Sequence, residues 1–450
     1  MKGHHHLLGI EGVGMSALAE ALLSLGARVS GCDLRPGENA RRLAREGVRV
    51  HAGHDPAHLA GVDRVVVSNA VPEENPELKA ARARGIAVEK RIEALARVLS
   101  ARRSLGVSGS HGKTTTTAML AEILAAGGED PMALVGARVP GWRGGFRPGS
   151  GPVVAEVDES DRDFPKARVE LAVVTNLEEE HVGAERPTYH PSFEALKTAL
   201  SRWLKGARLA VLPADDPQLL ALAAGVPVLT FGLGRGEVRA EGLELTPLGS
   251  RFALWQGERR LGEIALAVPG EHNAKNATAA AAAALAWGVP FEAVARGLSA
   301  FRGTGRRFER VGSYQGALVF DDYAHHPTEL AATLKTARGL GRVVRAVFQP
   351  HRYLRTARFL DDFASALALA DEAIVLDVYA AGEEPLPGVS GAALAERARA
   401  RGANARHMTW EEARRYLAET LKEGELLVTL GAGDVGRLGR ELVREVAPWR

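Results

Sequence analysis

The chain has a single cysteine, Cys32, among 450 residues, which excludes an intramolecular disulfide framework and a cysteine-rich zinc site. It has almost no net charge, because 57 basic residues stand against 55 acidic ones. An electrostatic nucleic-acid binder needs a basic stripe, so no nucleic-acid partner is expected. Lysine is scarce too, supplying only 10 of the 57 basic residues. Long apolar runs are missing. The most apolar uncharged stretch, Ala277 to Phe291, is Ala-rich and falls short of the ~20 residues a membrane helix needs, so it reads as a buried helix. Met1 to His6 leads into a short apolar run without a small-residue cleavage site, so a cytoplasmic protein with no membrane partner is expected. The remaining composition, 46% hydrophobic and 25% charged, is that of an ordinary globular protein. At ~150 residues per domain, the length suggests about three domains.

The first hundred residues alternate strand and helix. HHHLLGI reads as a strand, and the three adjacent histidines fit the opening of that strand better than a metal site or a tag remnant, since neighbours in a strand face opposite ways. Met15, Leu18, Ala19, Leu22 and Leu23 share one helical face, and ARVSGCD and DRVVVSNA are further strands. This rhythm implies a parallel sheet with crossover helices. The first turn, Gly9-Ile10-Glu11-Gly12-Val13-Gly14, invites a dinucleotide reading, but its spacing is GxxGxG rather than GxGxxG. A different phosphate-bearing ligand at the helix N-terminus fits better.

A second block begins near Leu105, with strands at Val153–Val157, Leu171–Val174 and Leu209–Leu212. From Val238 to Val268 the pattern changes to short alternating segments, which suit an antiparallel extension of the sheet. A Gly/Arg connector, Arg302 to Arg307, leads into a third alternation whose strands are ALVFDD, RAVFQP, EAIVLDV and ELLVTLGAGD.

The strongest local signal is GVSGSHGKTTTTAML, Gly106 to Leu120. An apolar strand enters a glycine-rich loop, and Lys113-Thr114 open a helix. The backbone N–H groups of such a loop cradle phosphate, lysine reaches the β/γ oxygens, and threonine can ligate Mg²⁺. The full P-loop pattern asks for Gly where Val107 stands, leaving G-x-x-G-K-T from Gly109. Downstream, VVAEVDESD closes a strand with Glu156, Asp158, Glu159 and Asp161, where a Mg²⁺-coordinating acid belongs. VVTNLEEEHV ends another strand near His181, which suits either a structural role or contact with metal or phosphate. Asn273 and Asn276 lie one turn apart at a helix start, and capping explains one of them but not both. FDDYAHHPTE gathers Asp321, Asp322, Tyr323, His325 and His326 after a strand. FQPHRYLRT places Arg352 and Arg355 past the next, suited to a carboxylate or phosphate.

Taken in order, GVGM, SGSHGKTTTT, EVDESD, TNLEEEH, HNAKNA, GRRF, DDYAHHPTE, FQPHRYLRT and LGAGD closely resemble the Mur ligase family over essentially the whole chain. The resemblance implies an α/β chain of three domains. These would be a Rossmann-like UDP-sugar-binding domain (1–100), a central P-loop-type ATPase domain with a mixed sheet (101–302) and a Rossmann-like C-terminal domain (303–450). It implies a ligase that uses ATP and Mg²⁺ to join L-alanine to the carboxylate of UDP-N-acetylmuramate. Residue by residue, Gly109, Ser110, His111, Gly112, Lys113, Thr114 and Thr115 would hold ATP. Thr114 and Glu156 would hold one Mg²⁺, and His181 a second. Asn273 and Asn276 would contact the nucleotide, and Arg307 and Asp322 would reach ATP from the third domain. Tyr323, His325, Arg352 and Arg355 would form the amino-acid end, and Gly12, Gly14, Asp33 and Ser68 would receive the UDP-sugar. The expected assembly is a monomer or weak homo-oligomer.

The chain departs from the family pattern in places. Glu11 stands where a glycine is usual, near the expected diphosphate, and is expected to point outward. Glu180 replaces an aspartate, and Gly183 replaces an acid. An asparagine common after the ATPase's second strand is missing between Trp142 and Pro148. Three other readings explain less. A tripeptide-adding relative would not need HRYLRT, an NAD(P) oxidoreductase leaves the ATP loop unused, and a nucleotide switch leaves the amino-acid cluster idle.

Overall fold

The computed structural model describes residues 2–180, 182–183, 189–246 and 249–446. The chain divides into two compact units, one comprising Met1–Leu243, Arg251–Ala267 and Asn273–Arg302, the other comprising Glu244–Ser250, Val268–His272 and Gly303–Arg450.

The first unit carries a parallel five-stranded sheet in the order Arg49–Ala52, Arg28–Asp33, His4–Leu8, Arg64–Val67, Ala87–Lys90. The strand order reverses beside His4–Leu8, so the turn after that strand opens at the switch point where ligands bind in such sheets. Alternation along His4–Leu8 sends Leu7 to a core with Leu18 and Leu95, and Leu8 to a second core with Leu59 and Leu78 on the opposite face. The two outer strands, Arg49–Ala52 and Ala87–Lys90, carry no apolar run that marks them in the sequence. They are short and polar, as edge strands tend to be.

A ten-stranded sheet follows. Its parallel centre runs Val228–Leu233, Leu209–Pro213, Leu171–Val174, Ser104–Ser108, Val153–Glu156, Met132–Leu134. The alternating segments become the strands Val238–Thr246, Gly249–Gln256 and Arg259–Leu266 at one end. They follow one another as sheet neighbours, with two residues between one strand and the next, and the join to Val228–Leu233 is parallel, with Phe231 opposite Val238. A two-residue strand, Phe146–Arg147, pairs antiparallel at the other edge, so the sheet is mixed. The Ala-rich helix Glu271–Trp287 buries every alanine from Ala274 to Ala284. Among the described residues no helix is long and apolar enough to cross a membrane.

The second unit has a six-stranded sheet. Glu309–Tyr314 is antiparallel to Ala317–Asp322, and Glu425–Leu430, Val343–Phe348, Glu372–Val375 and Ala405–His407 continue in parallel. One face packs Phe320, Leu334, Phe348 and Phe363, the other Val319, Val347, Leu417 and Leu438.

Trp203 locks the central sheet from below. It is fully buried, its indole N–H donates to the Ala167 carbonyl at 2.7 Å, and a Cβ at Gly106 would come within 3.0 Å of its ring. Truncation opens a cavity and orphans a carbonyl. We expect Trp203→Ala to destabilise the protein by about 3–5 kcal/mol, and Trp203→Phe by less, as read from urea denaturation midpoints.

Candidate active site

The strand Ser104–Ser108 delivers the chain to a loop that ends on the helix Lys113–Ala126. Gly109 and Gly112 both have positive φ, +124° and +81°. No side chain would fit at either: a Cβ at Gly109 would lie 2.7 Å from the Asn176 carbonyl, and one at Gly112 would press on the Asn276 amide. The neighbouring strand, Leu171–Val174, ends in Thr175-Asn176, which hold the loop. The Asn176 side chain accepts from His111 N–H at 2.9 Å and donates to the His111 carbonyl at 3.0 Å, while Thr175 Oγ1 donates to the same carbonyl at 2.5 Å. Ser110 Oγ accepts from Glu178 N–H at 2.8 Å. Thr115 is buried in the first helical turn. A loop fixed this way leads straight into the N-terminus of the helix Lys113–Ala126, whose first-turn N–H groups suit an anion such as phosphate.

Lys113 Nζ reaches Glu159 at 2.7 Å and the Gly109 carbonyl at 2.5 Å. Burial works against its charge, but Glu159, Asp158 and Glu156 outweigh burial and hold its pKa above the ordinary value. Thr114 Oγ1 donates to Glu156 at 2.8 Å, and Gly136 N–H donates to the same carboxylate oxygen at 2.8 Å. An oxygen pair of this kind, beside the phosphate cradle, suits Mg²⁺. Asn273 and Asn276 are both buried in the first turns of Glu271–Trp287. His181 lies outside the described residues. Of the departures from the family pattern, Glu180 is buried with its carboxylate 4.0 Å from His111 Nε2, and Gly183 has a φ of +98°.

In the first sheet, Gly12 is the N-cap of Val13–Ser24, with no side-chain bond across that helix end. Asp33 accepts from Glu11 N–H at 3.3 Å and Arg35 N–H at 3.0 Å, and Ser68 Oγ accepts from Ala70 N–H at 3.3 Å. The Glu11 carboxylate turns to the N-terminus of the helix Glu38–Arg45, accepting from Gly37, Asn39 and Ala40 N–H groups at 2.8–3.2 Å. It caps that helix, with the macrodipole favouring its charge. Arg91 lies beside the turn, its Nη1 3.5 Å from where a Gly14 Cβ would be.

In the second unit the named residues gather at the C-terminal ends of the parallel strands. Asp322 accepts from Phe308 N–H at 2.7 Å and Ala324 N–H at 2.8 Å, and burial pushes its pKa up to about 6 against the pull of Arg307. Arg307 pairs with Glu329 at 3.0 Å. Arg306 donates to the Gly431 and Gly433 carbonyls and lies over the Tyr323 ring. The His325 ring packs edge-on against Tyr323 and His351. Arg352 is buried at φ 72°, ψ 138°, a conformation that side chains rarely adopt, as the N-cap of the helix Tyr353–Arg358. Its Nη1 lies 3.5 Å from Glu383, and Arg355, also buried, lies 3.4 Å from His351 Nδ1.

Several of these partners carry no role in the sequence reading. Asn176 and Thr175 stand directly after a strand that flanks the phosphate loop, a signal that sheet order makes readable. Arg91 and Arg306 look like solvated surface charges, and nothing local distinguishes them.

The chain belongs to the Mur ligase family. Its residues 4–103 match the family's catalytic domain, 107–284 the Mur ligase middle domain, and 306–433 the glutamate ligase domain. It is 44% identical over 449 residues to the UDP-N-acetylmuramate–L-alanine ligase of Deinococcus radiodurans, covering 98% of this chain and 93% of that one. Its identity to the enzyme of the same name from Acidothermus cellulolyticus is 46% over 444 residues, covering 96% and 92%. Among solved structures, the UDP-N-acetylmuramate–alanine ligase of Thermotoga maritima aligns with a TM-score of 0.85 at 29% identity, over 98% of this chain and 99% of that one. A murein peptide ligase from Psychrobacter arcticus aligns at 0.70 and 26%, over 98% of each chain.

If Asn176 shapes the phosphate loop, its loss removes the acceptor of the His111 N–H and leaves the His111 carbonyl to Thr175 Oγ1 alone. We expect Asn176→Ala to weaken binding of a non-hydrolysable ATP analogue at least about tenfold by calorimetry, the scale of one buried unpaired group.

Proposed function

We infer that this chain is an ATP-dependent acid–amino-acid ligase that joins L-alanine to the carboxylate of UDP-N-acetylmuramate in peptidoglycan precursor synthesis. The observation that carries this reading is the near-full-length identity to two curated L-alanine ligases, at 44% and 46%. The higher TM-score to the alanine ligase than to the peptide ligase, 0.85 against 0.70, favours alanine over a longer peptide.

The chemistry explains why such a cluster is needed. A carboxylate does not accept an amine directly, because the leaving group would be hydroxide. Transfer of the γ-phosphoryl gives an acyl phosphate, from which inorganic phosphate leaves when the amine attacks. We assign residues 1–100 to the UDP-sugar, 101–302 to ATP and 303–450 to the amino acid and nucleotide. Gly109 to Thr115 hold the phosphates, and Lys113 offsets the repulsion between triphosphate and carboxylate. Thr114, Glu156 and His181 would hold Mg²⁺, which supplies further neutralisation of the phosphate charge. Asn273, Asn276, Arg307 and Asp322 serve the nucleotide. Gly12, Gly14, Asp33 and Ser68 receive the UDP-sugar, and Arg91 adds a cation near its diphosphate. Tyr323, His325, Arg352 and Arg355 receive alanine, whose carboxylate matches a guanidinium fork. ATP and the UDP-sugar are cytoplasmic metabolites, so we take the enzyme to work there, as a monomer or weak homo-oligomer.

The reading is tested by phosphate release. Sustained release at the full rate requires ATP, UDP-N-acetylmuramate and L-alanine together, and the same rate with any one omitted would refute the reading. We expect Lys113→Ala to abolish turnover while calorimetric affinity for the UDP-sugar changes less than about threefold. Loss of both in a folded variant would mean that the two ligands are wrongly assigned.

Arg352→Ala is expected to raise the KM for alanine sharply, by the equivalent of about 2–5 kcal/mol. The KM values for ATP and the UDP-sugar should stay within a few-fold. A climb in the ATP value alone would assign this arginine to phosphate.

A further inference from the structure

The second face of the first sheet holds a cluster that ligation does not use. His6 and Ser30 are register partners on adjacent strands, Cys32 lies two residues beyond Ser30 on the same face, and His51 is opposite Cys32 on the next strand. The short helix Pro56–Leu59 adds His58, and the helix Pro76–Ala83 adds Glu77. One ligand atom from each of His6, Cys32, His58 and Glu77 lies within 4.8 Å of all the others. His6, Cys32 and Glu77 are wholly sealed from solvent, and His58 is half-buried.

The orientation of the groups is informative. His6 Nε2 and Glu77 Oε2 stand 2.8 Å apart, yet neither makes an aligned hydrogen bond. Both atoms are buried without an aligned partner, while Glu77 Oε1 is met by Cys32 Sγ at 3.1 Å and His58 Nδ1 at 3.0 Å, so four candidate ligands converge on one small volume. The tautomer of His6 is set from behind. His4 Nδ1 faces the Gly61 carbonyl at 3.0 Å, which can only accept, so that nitrogen carries a proton. With the ring neutral, His4 Nε2 accepts the Ser30 hydroxyl proton at 2.8 Å. Ser30 Oγ then has only a lone pair to offer His6 Nδ1, also at 2.8 Å, so His6 is protonated there and presents a bare Nε2 to the cluster. A back-side hydrogen bond of this kind orients metal-ligating histidines. Glu77 is oriented likewise, because its other oxygen accepts from Asp55 N–H at 3.0 Å. His51 stacks on the His58 ring at 3.9 Å.

We propose that His6, Cys32, His58 and Glu77 form a structural site for one divalent transition-metal ion of the zinc type, separate from the Mg²⁺ of the reaction. Nitrogen and thiolate donors select such an ion over Mg²⁺ or Ca²⁺, which take oxygen ligands. Bonds of about 2.0–2.3 Å set tetrahedral ligand separations of about 3.3–3.8 Å, so the His6–Glu77 pair, at 2.8 Å, opens slightly while the wider separations, within 4.8 Å, close. Binding forms a metal–sulfur bond and releases the Cys32 thiol proton to solvent. A thiolate and a carboxylate then neutralise the ion, and four protein ligands leave no open position, which marks a structural site. The ion ties two strands, the short helix and the helix Pro76–Ala83 together.

The test uses the untagged full-length protein, stripped with chelator and titrated with Co²⁺. One equivalent should give the thiolate-to-cobalt charge-transfer band and the intense visible bands of a tetrahedral site. Zn²⁺ should displace them and excess Mg²⁺ should not. Zn²⁺ should raise the melting temperature by at least about 5 °C. Cys32→Ser, nearly isosteric and checked for folding by circular dichroism, should lose the charge-transfer band, and His58→Asn should weaken Co²⁺ binding at least about tenfold. Absence of the band in the wild type, or an undiminished band in folded Cys32→Ser, would overturn the proposal.

Discussion

Everything at the phosphate cradle depends on the grip of one strand end on the turn of its neighbour. The loop Gly109 to Gly112 turns through two residues with positive φ. Such a turn has no apolar side chains to hold it. Thr175 and Asn176 do so, bonded to both the N–H and the carbonyl of His111. They can because Leu171–Val174 lies directly beside Ser104–Ser108 in the sheet. Val153–Glu156 flanks the same strand on its other side, which is why Glu156 arrives at Thr114. Sheet order therefore does the positioning, and the side chains supply the chemistry.

Electrostatics follows from that placement. Glu156, Asp158 and Glu159 surround a buried ammonium group and keep it charged, so Lys113 is held ready for anionic ligands. The ligation itself is a problem of like charges, since a carboxylate must approach a triphosphate. A preset cation and fixed backbone donors lower that barrier without reorganising at the moment of reaction. In the C-terminal unit the same logic is written in arginine. Arg352 keeps a backbone conformation costing on the order of 1–3 kcal/mol.

Much of this was legible from residues alone, for identifiable reasons. Strands with buried apolar runs, such as Leu171–Val174 and Val343–Phe348, announce themselves, and the loop motif sits between a strand and a helix as its chemistry demands. Arg49–Ala52 and Ala87–Lys90 were not visible, because a short edge strand needs no hydrophobic alternation. The parallel join at Phe231 and Val238 was equally hidden, since alternation reports a half-buried strand but not its direction. Glu11 shows a different limit. Its position in the turn suggests a carboxylate near the diphosphate, while its actual partner, the N-terminus of Glu38–Arg45, is a tertiary neighbour that spacing does not reveal. The histidines at positions 4–6 alternate across the sheet as a strand requires, and only the fold shows that His6 meets Cys32, His58 and Glu77.

The central claim is that the carboxylate of the UDP-sugar is activated as an acyl phosphate before the amine attacks. It is tested most directly by labelling both oxygens of that carboxylate with ¹⁸O and analysing the products by mass spectrometry. The account predicts that one labelled oxygen appears in the inorganic phosphate and the other stays in the new amide. Phosphate free of label, in a reaction that still forms the amide, would contradict it.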